Sequence, residues 1–241
     1  MSDSFTFGGV SSATFNARVL PTDSMLKTTA RNYITISVPG RSGSLLMDQG
    51  NYDNIMREYD VQLFNDADLA NFRALRAYLA SCVGYLRLTD TFETDHYFMA
   101  AYTEAFDMTA DFASMKRGRG TITFECKPQR FLTSGETEVT KTSSGSITNP
   151  TRFPSKPLLV VTTTRSSASV LGVGSTNITL TRQGVTYIDC EIGRAYNGAT
   201  SYDDKVALST IDFPSLAPGS NGISLGTGIS KVVITPRWWE L

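Results

Sequence analysis

The run Asn32-Tyr33-Ile34-Thr35-Ile36-Ser37-Val38 alternates polar and apolar side chains and stops at the turn signal Pro39-Gly40. Successive side chains of a strand point to opposite faces, so a period of two with β-branched and aromatic residues specifies a strand with one wet face and one covered face. The pattern returns in Glu58-Tyr59-Asp60-Val61-Gln62-Leu63-Phe64, in Tyr85-Leu86-Arg87-Leu88, from Tyr97 to Phe106, and in Gly120-Thr121-Ile122-Thr123-Phe124-Glu125-Cys126. A chain patterned this way is mainly β.

One segment has a different period. From Asp66 to Ala80 the apolar residues Leu69, Phe72, Leu75 and Leu79 recur at helical spacing, with Arg73 and Arg76 between them. This predicts one helix, about residues 66–80, laid over the apolar face of a sheet, with Asn65 or Asp66 as its N-cap.

From Thr133 to Thr148 the composition turns to Thr, Ser, Gly and Glu, and Asn149-Pro150, Pro154 and Pro157 follow. The stretch reads as a domain junction that carries some edge-strand pairing, and the prolines impose an extended, helix-free path beyond it. Two domains are therefore expected, 1–132 and 133–241. In the second, strands are read at Leu158 to Thr164, Ala168 to Val173, Asn177 to Arg182, Val185 to Cys190, Gly222 to Leu225 and Lys231 to Thr235. Turns are read at Gly172-Val173-Gly174, Gln183-Gly184, Gly193, Asn197-Gly198 and Pro218 to Gly222. Short strands at this spacing indicate a β-sandwich.

The chemistry-bearing residues are sparse. The single histidine, His96, reads as a surface residue at a strand edge, and no nucleophile-elbow pattern accompanies it. One histidine and the scattered Cys82, Cys126 and Cys190 make no zinc set, and the odd cysteine count reads as reduced core thiols. Gly172-x-Gly174 lacks the later glycine and the helix of a phosphate cradle. Asp189 and Glu191, two apart on one strand, read as a solvated face, since paired glycosidase carboxylates flank a substrate from opposite sides. Asp203-Asp204 offers too few ligands for a divalent ion. No catalytic, cofactor-binding or metal-binding residue is assigned. Met115-Lys116-Arg117-Gly118-Arg119-Gly120 is the densest basic cluster and reads as a hairpin approach to the next strand. With 22 basic against 23 acidic side chains the net charge is −1, which divides into −2 before residue 133 and +1 after it. Neither part carries the excess that sequence-specific or general binding to a phosphate backbone requires. Of Trp238-Trp239, one side chain is expected to close the sandwich core and the other to be a candidate contact. The opening Met1-Ser2-Asp3-Ser4-Phe5 has no secretory pattern, and no run reaches transmembrane length, so neither secretion nor a membrane partner is expected.

Three ordered stretches carry a resemblance. The first is Val38-Pro39-Gly40-Arg41-Ser42-Gly43-Ser44-Leu45, followed by Asp48-x-Gly50-x-Tyr52-Asp53-Asn54. The second is Phe124-Glu125-Cys126-Lys127-Pro128-Gln129-Arg130-Phe131. The third runs from Asn149-Pro150-Thr151 through Pro157 and Ile188-Asp189-Cys190-Glu191 to Phe213-Pro214-Ser215-Leu216-Ala217-Pro218-Gly219-Ser220-Asn221-Gly222. Together they resemble the distal tail proteins of long, flexible-tailed bacteriophages and prophages. The resemblance implies an N-terminal barrel-like β domain with one helix and a C-terminal galectin-like β-sandwich. It implies a structural virion protein without catalysis or cofactor, made in the host cytoplasm and placed at the phage tail tip. Six copies would form a ring through their N-terminal domains, with DNA passing the central channel unread. The partners implied are the tail tube protein, a tail-tip protein and the tape measure protein. The alternative is a carbohydrate-binding sandwich module; it would need aromatic stacking with His, Arg and Asn on one sheet face, whereas the second domain contains no His and Tyr187, Tyr196 and Tyr202 read as dispersed. A cell-wall hydrolase is the remaining reading.

Overall fold

The structure, a computed structural model, describes residues 3–21, 27–64, 68–110 and 117–241. The chain divides into two compact units, Met1–Arg130 with Leu241, and Phe131–Glu240.

The strands of the first unit are β1 (Phe5–Phe7), β2 (Val10–Ser11), β3 (Ala17–Leu20), β4 (Arg31–Ser37), β5 (Ser44–Tyr52), β6 (Ile55–Phe64), β7 (Leu86–Asp90), β8 (His96–Ala101), β9 (Met108–Ala110) and β10 (Arg117–Leu132), and its helix is α1 (Asp68–Ser81). Its main sheet runs β2-β1-β7-β8-β10-β6-β3, with β9 also on β10. The longest pairing is antiparallel and aligns Arg117 to Cys126 of β10 with Phe64 to Ile55 of β6. Phe5, Phe7, Tyr59 and Phe124 fill the core, with Phe7 and Phe124 ring centroids 4.7 Å apart. Leu75 and Leu79 of α1 are buried in the same cluster while Arg73 and Arg76 are exposed, so the helical spacing sorts its faces as a cover for the sheet. Tyr78 donates its hydroxyl to the Phe7 carbonyl at 2.5 Å. The two N-cap candidates lie outside the described residues. The run from Tyr97 to Phe106 is shorter than its pattern: β8 ends at Ala101 and residues 102–107 are irregular.

The second unit holds β11 (Val139–Lys141), β12 (Gly145–Asn149), β13 (Leu158–Thr163), β14 (Ser169–Val173), β15 (Thr176–Leu180), β16 (Gly184–Asp189), β17 (Arg194–Asn197), β18 (Thr200–Ser201), β19 (Val206–Leu208), β20 (Gly219–Leu225), β21 (Ile229–Thr235) and β22 (Trp239–Glu240). One sheet runs β11-β21-β13-β16-β17-β18 and the other β12-β20-β14-β15-β19. Side chains from both sheets, among them Leu159, Val161, Leu171, Ile178, Ile188, Val232 and Ile234, form one buried cluster. This is the mainly β architecture that the alternating runs specify.

The polar stretch 133–148 is not a linker. It makes a 3-10 turn and the edge strands β11 and β12 of the two sheets. Its Thr, Ser and Gly residues suit edges, which keep one side in water.

The end of the unit folds back as a strap. Trp238 accepts from the Leu132 N–H at 2.9 Å, and the Arg237 N–H donates to the Gly135 carbonyl at 2.7 Å. A Cβ on Gly135 would lie 2.3 Å from the Trp238 nitrogen, so only glycine admits the strap there. Arg237 takes a left-handed φ of 58°, held by two bonds to Asp189 at 2.7 and 2.9 Å. Trp238 is buried in the core. Trp239 stacks on Phe153 at 4.6 Å and donates to the Pro154 carbonyl, so its ring has both an aromatic and a polar partner in the second unit.

Candidate assembly surface

The strands β4 and β5 form a two-stranded sheet of their own. Tyr33 pairs with Asp48, Ile34 with Met47, Thr35 with Leu46, Ile36 with Leu45 and Ser37 with Ser44. Directly opposed residues share a face. One face is therefore Ile34, Ile36, Leu45 and Met47, contiguous and apolar. The other carries Tyr33, Thr35, Leu46 and Asp48, with Ser37 opposite Ser44 at the end toward the tip.

The sequence pattern anticipates that one of these faces is covered. In the chain by itself neither is. Ile34 is 45% exposed, Ile36 37%, Leu45 42% and Met47 51%. At about 3.3 Å per residue, the seven residues of β4 reach roughly 23 Å.

Polar contacts pin the root of the hairpin and leave the far part bare. Arg31 pairs with Asp48 at 2.6 Å, Asn32 donates to the Asp53 carboxylate at 2.8 Å, and Lys27 pairs with Glu58. Asn54 donates to the Tyr85 hydroxyl and to Glu125, both at 2.8 Å. At the tip, Gly40 and Gly43 both take φ of 82° with open space where a Cβ would stand, so their requirement is conformational and not steric. An isolated two-stranded hairpin is marginal in water, and an apolar one is a template for association.

The neighbouring strand β6 shows what a covered face looks like. Ile55, Tyr59, Val61 and Leu63 are buried, and so is Arg57 among them. The Arg57 guanidinium donates to Asp90 at 2.6 Å and to the Tyr59 hydroxyl at 2.7 Å, lies 3.0 Å from Glu93, and sits 4.4 Å over the Phe98 ring. Asp90 also accepts from the Tyr59 hydroxyl and from two backbone N–H groups of the β7–β8 turn. Burial opposes the Asp90 charge, but Arg57 and these donors outweigh it and hold its pKa below the usual value. Sequence reading missed this network, because a cation inside an alternating run reads as the wet side.

The other residues singled out in the sequence do not converge. His96, expected at the surface, has a side chain only 12% exposed and its Nδ1 2.8 Å from Asp95. Asp189 ends β16 and is buried against Arg237, while Glu191 is exposed in the following turn, so the two carboxylates share neither a strand nor a solvated face. Asp203 is tied to Arg194, Ser201 and the Ala195 N–H, and Asp204 pairs with Lys205. Gly172 and Val173 finish β14, and only Gly174, φ 58°, belongs to the turn. Met115 and Lys116 of the basic cluster lie outside the described residues, and Arg117 to Gly120 begin β10. Cys126 and Cys190 are buried, which pushes each thiol up to about 12, while Cys82 is half-buried. Among the described residues no group of three or more His, Cys, Asp or Glu could hold a metal ion, and no helix is long and apolar enough to cross a membrane.

The surface that remains is an uncovered apolar face on a β scaffold. Its fold is that of phage tail hub proteins. The chain superposes over its whole length on the whole of the Dit (gp 19.1) protein of phage SPP1, described as a paradigm of the hub adsorption apparatus in phages infecting Gram-positive bacteria, with a TM-score of 0.72 at 15% identity. A chain of the phage P2 baseplate in its activated conformation with Ca matches with a TM-score of 0.57 at 10% identity, covering 97% of each chain. No family model and no curated protein matches the sequence.

Proposed function

We propose that this chain is the distal tail hub of a long-tailed phage, a non-catalytic virion protein whose copies close a ring at the tail tip. The observation that carries the reading is the bare apolar face of the β4–β5 hairpin. A second copy of the chain is the occupant that suits it. Identical subunits docking head to tail repeat the same contact until the ring shuts, and every hairpin is then covered. The first unit supplies this contact. The copy number of six comes from the family resemblance.

In this role the ring joins the tail tube protein above to a tail-tip protein below, with the tape measure protein as a further neighbour. DNA passes through the channel without being read, which suits a chain of net charge −1. Assembly takes place in the host cytoplasm, where the buried thiols of Cys126 and Cys190 stay reduced. Native mass spectrometry across a concentration series, with and without a phage tail-tip protein, tests the reading. A hexamer is expected at high concentration or on addition of that partner. A monomer under every condition would overturn it.

A further inference from the structure

An asparagine followed by glycine readily loses its side-chain amide, because a glycine nitrogen has no neighbouring Cβ to hinder its attack on the asparagine Cγ. The chain has two such pairs, Asn197-Gly198 and Asn221-Gly222. The fold places them in opposite circumstances.

Asn197 is the last residue of β17. The ladder between β16 and β17 ends one residue earlier, at Tyr187 opposite Tyr196, whose rings stack at 5.7 Å with 13° between planes. Asn197 itself pairs with Thr200 of β18, a strand of two exposed residues at the end of the sheet. Gly198 is exposed in the turn, and nothing lies within 4 Å of where its Cβ would stand. The Asn197 amide is restrained by a bond from its Nδ2 to the Val185 carbonyl at 2.9 Å. A sheet end with little buried contact and exposed backbone bonds opens locally at low cost. Such opening lets the Cγ of Asn197 swing onto the Gly198 nitrogen.

Asn221 lies in β20, which has β12 on one side and β14 on the other, and it is 4% exposed. Its Oδ1 accepts from the Ala217 N–H at 2.8 Å, and its Nδ2 donates to the Ala217 carbonyl at 2.7 Å and to the Gly219 carbonyl at 3.0 Å. The Gly222 carbonyl accepts from the Gly174 N–H at 2.8 Å, which holds the attacking residue as well. Turning this amide onto the Gly222 nitrogen would break all three of its bonds in a buried place, where unmade hydrogen bonds are costly.

We propose that Asn197 is a site of spontaneous deamidation in the folded chain and that Asn221 is protected from it. The Gly198 nitrogen gives up its proton to base and bonds to the Asn197 Cγ. The Cγ–Nδ2 bond breaks, and the amide leaves as ammonia, taking a proton back. One solvent water then opens the resulting succinimide, its hydroxyl going to either carbonyl carbon and its hydrogen to the ring nitrogen. The product is aspartate or isoaspartate at position 197. A carboxylate there cannot donate to the Val185 carbonyl and repels it, so the β17–β18 hairpin loosens.

The test is peptide-mapping mass spectrometry of the full chain, folded and in guanidinium chloride, at mildly acidic and mildly alkaline pH. It reads at each asparagine the mass change of ammonia lost and water gained. In the folded chain Asn197 is expected to react at least about tenfold faster than Asn221, whereas in denaturant the two react at similar rates. The reaction at Asn197 is faster at alkaline pH, because the attacking nitrogen must lose its proton. Asn197→Asp carries the product side chain; with an unchanged far-UV spectrum, it should speed hydrogen exchange of the Tyr202 N–H, which bonds to the Ala195 carbonyl beside the hairpin. Equal rates at the two asparagines in the folded chain would overturn the site. So would an intact Asn197 in the folded chain over the time in which the unfolded chain converts fully. Unchanged exchange in Asn197→Asp would overturn the loosening.

Discussion

The strands β4 and β6 are written in the same alternation and end in opposite circumstances. Along β6 the inward residues Ile55, Tyr59, Val61 and Leu63 are sealed by the rest of the unit. Along β4 the corresponding Ile34 and Ile36, with Leu45 and Met47 opposite them, stand in solvent. An alternating run states that a face will be covered and says nothing about which molecule covers it. Folding covers β6 and leaves β4 bare, the face that the proposed ring contact would cover. Mutations on the two strands should accordingly be read by different instruments, one by stability and the other by association.

The largest effect on stability falls on the β6 side. Asp90→Ala leaves the buried Arg57 guanidinium without its closest carboxylate, and breaking such a pair costs about 3–5 kcal/mol. Urea unfolding should show that loss with little change in slope. Acid sharpens the same point. Folding lowers the pKa of both Asp90 and Asp189. Their contribution is then fully present above the unfolded value of about 3.9 and is lost as pH falls through the lower folded values. Stability should be level from neutrality down to about pH 5 and decline below about pH 4, and Asp90→Asn should flatten part of that decline.

The strap of the second unit comes next. Gly135→Ala drives a methyl into the Trp238 backbone, and overpacking of this kind costs about 1–3 kcal/mol. Trp238 and Trp239 are the chain's two tryptophans, so its tryptophan emission reports on the strap alone. Both Gly135→Ala and Asp189→Asn should shift that emission to the red. Emission at the wild-type wavelength in both would mean that the strap does not depend on these contacts. At the hairpin tip the cost is smaller. Gly43→Val forces a β-branched residue into φ of 82°, worth about 1–2 kcal/mol of local strain, whereas Arg41→Lys should stay within about 0.5 kcal/mol. Hydrogen exchange along β4 and β5 separates the two.

How much of this was legible follows from the range of each interaction. The period-two runs and the spacing of Leu75 and Leu79 are local, and they specify strands, helix and core faces directly. Arg57 was hidden, because its neutralising groups, Asp90 and Glu93, are more than thirty positions away and only the register of the sheet brings them near. Asp189 and Arg237 were hidden for the same reason, across 48 positions. Tyr187 and Tyr196 could have been paired by treating Asp189 to Arg194 as a hairpin turn, since Gly193 at φ 65° marks it. Reading them as dispersed came from ignoring that register. The association face was legible as an apolar alternation, and its lack of cover within the chain was not, because cover is a tertiary fact.

The smallest effect on stability should accompany the largest effect on assembly. Ile36→Asp places a charge in the middle of the bare apolar face, where the chain by itself buries little. The unfolding free energy of the monomer should change by less than about 0.5 kcal/mol. Sedimentation velocity of wild type and Ile36→Asp, at matched concentration and with the tail-tip partner present, is the direct measurement. A ring-sized species is expected for wild type and a monomer for the variant, both with the same unfolding curve. A variant that forms the ring as wild type does would contradict it.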